Sequence, residues 1–79
     1  MNLDTFTEKM GIKDDDYFGL LAACTEVLTH TKYYKGKVKI HFNWDSIEFW
    51  FSNETNPPYR DIHVMSYDKF LGIKSLIPR

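Results

Sequence analysis

Cysteine is almost absent from this sequence: Cys24 is the only one among 79 residues, so no internal disulfide can form. A lone thiol favours a reducing compartment. Long hydrophobic runs are also missing, and no stretch approaches the ~18 apolar residues of a membrane span. The segment from Met1 to Asp4 has neither the basic nor the apolar region of a secretory signal. We therefore expect a cytoplasmic protein that does not enter a membrane.

An excess of charge of either sign is missing too. Ten lysines and arginines stand against eleven acids, for a net charge of −1, and the basic residues are spread along the chain. A protein that grips phosphate backbones without sequence preference usually carries a basic face. The charge pattern therefore favours a protein partner over a nucleic acid.

Signatures of catalysis are missing as well. The chain contains no glycine-rich phosphate loop, no Gly-x-Ser-x-Gly elbow and no Cys-x-x-Cys pair. Cys24 lies inside a predicted helix without a cationic neighbour, which is typical of a core residue. His41, Glu48 and His63 are acceptable zinc ligands, but their spacing matches no metal motif. We predict that the protein is not an enzyme and holds no metal or cofactor.

Aromatic residues are abundant and supply the core that so short a chain needs. Phe, Tyr and Trp make up 16% of the sequence. A chain of this length buries only ~60% of its unfolded surface, so residues 1–79 are predicted to form one domain with a thin stability margin. A homodimer would bury more surface.

Two helical segments are predicted before residue 37. Residues 1–13 contain a helical turn, with Asp4 as N-cap and Gly11 as its stop. Residues 14–36 contain the main helix, which begins with three aspartates that suit a helix N-terminus and ends at Gly36. Its apolar face is predicted to consist of Phe18, Leu20, Leu21, Cys24, Thr25, Val27 and Leu28.

A period of two from residue 37 to residue 67 predicts three antiparallel strands. In the first two strands, pairing Phe42 with Ile47 places six apolar residues on one face: Val38, Ile40, Phe42, Ile47, Phe49 and Phe51. The same register sets His41 opposite Glu48 and Lys39 opposite Trp50 on the other face. The two prolines at 57 and 58 interrupt the chain before the third strand.

In the third strand, Ile62 and Val64 are predicted to face the main helix, and His63 and Met65 to face the other way. Residues 68–79 are expected to form a short helical turn that ends at Gly72. The predicted fold class is α+β, with one main N-terminal helix packed on a three-stranded antiparallel sheet and a short C-terminal helical turn.

The sheet face away from the main helix is the candidate binding surface, because Trp50 lies in the middle of it. Aromatic, arginine and methionine side chains ringed by polar groups are typical of a protein–protein hot spot. An alternative is that the C-terminal segment folds over Trp50 and buries it. The predicted contact residues are Trp50, Tyr59, Arg60, His63, Met65, Trp44, Lys39 and His41.

We therefore expect a small protein-binding module, an inhibitor or regulator that docks through the aromatic-bearing sheet face. An open strand edge offers a second route, by sheet extension to a partner or to a second copy. The alternative is a nucleic-acid binder that stacks bases on Trp50 and binds phosphates with Lys37, Lys39 and Arg60. The order of helix, three strands and helix resembles that of double-stranded-RNA-binding domains, but residues 68–72 lack that family's basic run, so membership is not inferred.

Overall fold

The computed structural model describes residues 1–32, 34, 36–52 and 59–77, and for Ser52, Tyr59 and Arg60 it describes the backbone alone. The elements are helices α1 (Leu3–Met10) and α2 (Tyr17–Thr29), strands β1 (Val38–Phe42), β2 (Ser46–Ser52) and β3 (Tyr59–Ser66), and helix α3 (Tyr67–Ser75). The strands form one antiparallel sheet in the order β1-β2-β3. The predicted α+β class is confirmed. Within the described ranges no helix has the length and apolar character needed to cross a bilayer.

The β1–β2 hairpin has the predicted register. Phe42 pairs with Ile47, Ile40 with Phe49 and Val38 with Phe51. Ile40, Ile47, Phe49 and Phe51 are buried, because alternate residues of a strand point to the same side. The hairpin therefore builds the floor of the core from a simple alternation in the sequence.

Helix α2 covers that floor with a narrower face than predicted. Leu20, Cys24, Val27 and Leu28 recur at helical spacing and are buried. Phe18 is instead 80% exposed, which corrects its placement in the core. At about 100° per residue it lies roughly 200° around the helix from Leu20, on the opposite side.

The main helix is also shorter than the predicted segment 14–36. It begins after Asp16, whose carboxylate accepts a hydrogen bond from the Gly19 N–H at 2.9 Å, so one of the three aspartates acts as the N-cap. At the other end, the N–H groups of His30 and Thr31 donate to carbonyls three residues back, which tightens and ends the last turn. Gly36 has a φ of +93°, but it precedes β1 and does not terminate α2.

Helix α1 is the predicted N-terminal helical segment, with a different first residue. Asn2, and not Asp4, is the N-cap, and its side chain accepts the Thr5 N–H at 2.9 Å. Gly11 ends the helix in the left-handed conformation with a φ of +73°, as predicted. The helix contributes Phe6, which is fully buried.

In strand β3, the side chains that face the core are those predicted to face away from it. His63 pairs with Phe49 and Met65 with Ile47, so both lie on the core side of the sheet. Ile62 pairs with Trp50 and Val64 with Glu48, on the open side. The prediction is therefore wrong for both pairs of residues.

Tyr67 explains this reversal. It comes two residues after Met65, and its side chain lies with those of His63 and Met65 on the core side. Its ring is fully buried and stacks on Phe6, with 4.4 Å between ring centroids. Its hydroxyl donates a hydrogen bond to the Asn43 carbonyl. The opposite arrangement would take this large ring and its bonded hydroxyl out of the core together with Met65, whereas the observed one leaves only the two β-branched side chains exposed.

Helix α3 replaces the short C-terminal turn that the sequence predicts. Ser66 is its N-cap, accepting the Lys69 N–H at 3.1 Å, and Gly72 lies inside the helix instead of ending it. Phe70 points into the core, 5.4 Å from Phe49 and 5.8 Å from Phe6 between ring centroids. The C-terminal segment therefore packs on the core side through residue 77, and the alternative in which it covers Trp50 is wrong for the described residues.

The chain offers a matched pair of phenylalanines for testing this core. Phe6→Ala is expected to lower the free energy of unfolding by about 3–5 kcal/mol, because it removes a fully buried ring. Phe18→Ala removes the same atoms from an exposed position and is expected to change it by less than about 0.5 kcal/mol. Urea unfolding followed by circular dichroism measures both. Equal losses in the two variants would contradict this packing.

Candidate functional site

The face of the sheet that the helices leave open carries six defining side chains. The three helices contribute Phe6, Leu20 and Phe70 to a core built on the opposite side, together with Ile40 and Phe49. We call the other side the open face; its residues are Lys39, His41, Glu48, Trp50, Ile62 and Val64.

The indole of Trp50 is held at the centre of the open face by a hydrogen-bonded carboxylate. Its Nε1–H donates to Glu48 Oε1 at 3.2 Å. The second carboxylate oxygen, Oε2, accepts a hydrogen bond from Asn43 Nδ2 at 2.6 Å. The Asn43 amide also bonds Ser46 Oγ at 3.2 Å, which anchors it to the β1–β2 loop. The loop, Glu48 and Trp50 therefore form one network that orients the ring.

Two side chains from β1 flank the same indole. The His41 ring lies 5.0 Å from the Trp50 ring between centroids, in a tilted arrangement. Lys39 Nζ lies 6.0 Å from the ring centroid, at the outer limit of a cation–π contact. The predicted cross-strand neighbours of Trp50 and Glu48 are thus confirmed. A ring supported by contacts on its own face loses little further freedom when a partner binds.

Hydrogen bonding controls the charge at the centre of the face. The hydrogen bond from Asn43 holds the pKa of the Glu48 carboxyl below its ordinary value, and the bond from Trp50 acts in the same direction. Desolvation opposes these two hydrogen bonds with a smaller effect, and the nearby His41 lowers this pKa by a lesser amount still. Glu48 is consequently a carboxylate at neutral pH, and it repels a phosphate approaching Trp50.

Ile62 and Val64 extend the face with exposed apolar surface, and the sequence patterns did not identify them as surface residues. Ile62 is 49% exposed and Val64 is 61% exposed. They stand directly beside Trp50 and Glu48 in the pairing of β2 with β3. The signal that could have found them is the position of Tyr67, which sets the phase of the strand.

The predicted contact residues are therefore only partly brought together. Trp50, Lys39 and His41 lie on the open face. Trp44 is exposed in the β1–β2 loop, where its carbonyl accepts the Leu3 N–H at 2.7 Å. Tyr59 and Arg60 belong to β3 by their backbone, but their side chains, like the loop at residues 53–58, lie outside the described residues.

His63 and Met65, which the sequence predicts on the candidate surface, lie on the core side of the sheet. They line a small apolar cavity of about 60 Å³ between the sheet, the end of α2 and α3. His63 is also separated by the sheet from His41 and Glu48, so these three residues cannot hold one ion. Among the described residues no group of three or more His, Cys, Asp or Glu side chains is placed to bind a metal.

Two larger clefts lie away from the open face. One of about 360 Å³ lies against α2 and α3 and includes Glu26, His30 and Lys74 in its lining. Another, of about 260 Å³, lies between α1 and the start of α2 and is bordered by Asp14 and Tyr17. Tyr17 and Phe18 are exposed there, with ring centroids 5.8 Å apart. Neither cleft contains a serine or cysteine nucleophile among its lining residues.

Cys24 is placed as a core residue. Its side chain is fully buried, and burial raises the pKa of its thiol to about 12. Because the thiolate is the reactive form, a buried neutral thiol is a poor nucleophile. This position fits the structural role predicted from its mid-helix location.

We expect native protein to leave Cys24 unmodified by Ellman's reagent at neutral pH, since the thiol is both enclosed and protonated. Unfolding in urea should expose one reactive thiol per chain, which calibrates the assay. Rapid reaction of the folded protein, at the rate of the unfolded chain, would contradict the burial of Cys24.

The lowered pKa of Glu48 predicts how the network responds to acid. Stability from the network is complete above the unfolded carboxyl's pKa and is lost as the pH falls through the lower folded pKa. Asn43→Ala removes the largest cause and should raise the pKa of Glu48. The substitution retains the main-chain carbonyl that Tyr67 bonds.

A carbon-13 NMR titration of the side-chain carboxyl measures this change, and Glu48→Gln identifies the signal. Trp50 fluorescence should change over the same pH range, because the indole bonds the titrating group. A Glu48 that titrates identically in the wild type and in Asn43→Ala would contradict the network.

The open face is thus a surface on which an aromatic ring, oriented by hydrogen bonds, lies beside two aliphatic side chains. No family model, no curated protein and no solved structure matches the chain. What the chain does must therefore be inferred from the geometry of its own residues.

Proposed function

We propose that this protein is a binding module that docks on another protein through the open face and acts as its inhibitor or regulator. One observation carries the proposal. Trp50 is held in a single orientation by Glu48, and the exposed Ile62 and Val64 lie beside it on a face that no described helix covers. Contiguous exposed apolar surface rimmed by polar groups is characteristic of protein interaction sites.

The composition of the face supports a protein partner in particular. Tryptophan is enriched among hot-spot residues, and its energetic value is greatest when neighbouring contacts exclude water. Ile62 and Val64 can provide such neighbours, while the exposed Lys39 supplies a polar margin on the other side of the indole, beside the His41 ring. The arrangement matches an apolar centre with a polar margin.

A nucleic-acid partner is the second candidate, favoured by the position of Lys39 beside the indole. Single-stranded nucleic acids bind to surfaces that combine stacking rings with basic side chains. However, the open face offers one aromatic ring, two aliphatic side chains and the carboxylate of Glu48. With a net charge of −1, the chain also lacks the basic excess that strong phosphate binding requires.

Variants of the open face test the proposal by differential capture. Tagged wild-type protein, Trp50→Ala and Val64→Lys are incubated with a nuclease-treated extract of the native host, and the bound proteins are quantified by mass spectrometry. Removing a central hot-spot residue costs about 2 kcal/mol or more, so we expect at least a ~30-fold loss of affinity for the partner.

Leu76→Lys is the matched control, because Leu76 is 82% exposed in the turn after α3 and lies off the open face. It should retain the same partner as the wild type. Thermal unfolding of each variant shows that the fold is kept. A protein bound equally by all four chains would contradict docking through the open face.

A labelled single-stranded oligonucleotide separates the two candidates. We expect no change in its fluorescence anisotropy with wild-type protein at low salt. Binding that weakens steeply with added salt and is lost in Trp50→Ala and Lys39→Ala would instead establish the nucleic-acid alternative.

A further inference from the structure

The two edges of the sheet differ in how they resist pairing with another chain. An edge strand exposes unpaired N–H and C=O groups, and proteins commonly protect such edges with short strands and lysines. The edge at β1 has both features: the strand has five residues, and the exposed Lys37 and Lys39 lie before and within it. The edge at β3 has neither, since the strand has eight residues and no lysine.

The outer edge of β3 is also accessible. Asp61, Ile62, Val64 and Ser66 are all exposed, and in the described sheet β2 is its only strand neighbour. The irregularity in the β2–β3 pairing lies at Phe51 and Ser52, so the segment from Asp61 to Ser66 is regular. Helix α3 places Phe70 on the core side of the sheet, against Phe49 of β2.

We infer that β3 pairs antiparallel with β3 of a second copy of this chain, with Ile62 of each copy opposite Val64 of the other. The two-fold axis then passes between the two His63 residues, and the two three-stranded sheets join into one of six strands. Edge-to-edge pairing satisfies main-chain groups on both strands, and the side chains determine the register.

The apolar side chains select this register. It sets both exposed β-branched residues of each copy against an apolar neighbour, and cross-strand pairs of this kind stabilise a sheet. Shifting the register by two residues in either direction also keeps the core faces of the two copies on one side of the sheet. Those registers, however, set Val64 opposite Arg60 or Ile62 opposite Ser66. Like charges directly opposite each other would disfavour a register. In the proposed register no two acidic residues, and no two lysines or arginines, are opposite each other.

The size of this contact determines how strong it can be. Pairing of one six-residue segment buries less surface than a standard protein–protein interface, so the dimer belongs to the weak and reversible class. It also joins two open faces into one continuous surface with two copies of Trp50. The pairing shares Ile62 and Val64 with the open face but does not involve Trp50, so Trp50→Ala distinguishes it from docking on that face.

A charge exchange tests both the dimer and its register by sedimentation equilibrium. The wild-type mass should rise with concentration from 9.4 kDa towards twice that value. Ile62→Lys with Val64→Lys puts like charges opposite each other and should weaken association about tenfold or more. Ile62→Lys with Val64→Glu puts opposite charges together in the proposed register, and should restore most of the association.

Docking on an unrelated apolar partner would not be rescued by this exchange, and Trp50→Ala should leave the dimer intact. The two proposals can therefore fail separately. A protein that stays monomeric at the highest concentration overturns the dimer. Equal loss in the two charged double variants overturns the register and the proposal with it.

Disulfide trapping gives an independent measurement on otherwise native protein. When Ile62→Cys and Val64→Cys chains carrying different tags are mixed and oxidised, the mixed dimer should predominate over either same-variant dimer. The buried Cys24 does not compete, and Leu76→Cys measures random collision at an exposed position. Cross-linking no greater than that of Leu76→Cys overturns the proposed pairing.

Discussion

The register of the β1–β2 hairpin is the constraint on which the rest of the structure depends. Because side chains alternate along a strand, one pairing of Phe42 with Ile47 sends Ile40, Phe49 and their neighbours to the helices. The same pairing sends Trp50 and Glu48 to the opposite side. A slip of one residue would exchange the two faces, and with them the core and the candidate binding surface.

Tyr67 has the same influence on the third strand. Its ring packs on Phe6 from α1, and its hydroxyl reaches the loop that also holds Glu48 through Asn43. One residue thereby connects the N-terminal helix, the hairpin loop and the start of α3. The consequence for function is indirect but large, since it turns Ile62 and Val64 outward to stand beside Trp50.

The open face and the β3 edge are exposed for the same reason. Three helices and one sheet face suffice for the core of a chain this short, so the second face stays uncovered in the described residues. Its centre is ordered by hydrogen bonds and its flank is aliphatic, a combination suited to contact with protein surfaces. Pairing at β3 would widen that surface without altering either core.

Local patterns in the sequence determined the α+β class, the hairpin register and the outward position of Trp50, because each follows from a period of two or of 3.6. The stop of α1 at Gly11 was equally predictable, since glycine adopts positive φ at little cost. The orientation of β3 was decided only by tertiary structure: both sides of the strand carry apolar residues, and the stacking of Tyr67 on Phe6 selects between them. The exposure of Phe18 and the helical course through Gly72 also depend on which surfaces meet, a choice that local patterns do not encode.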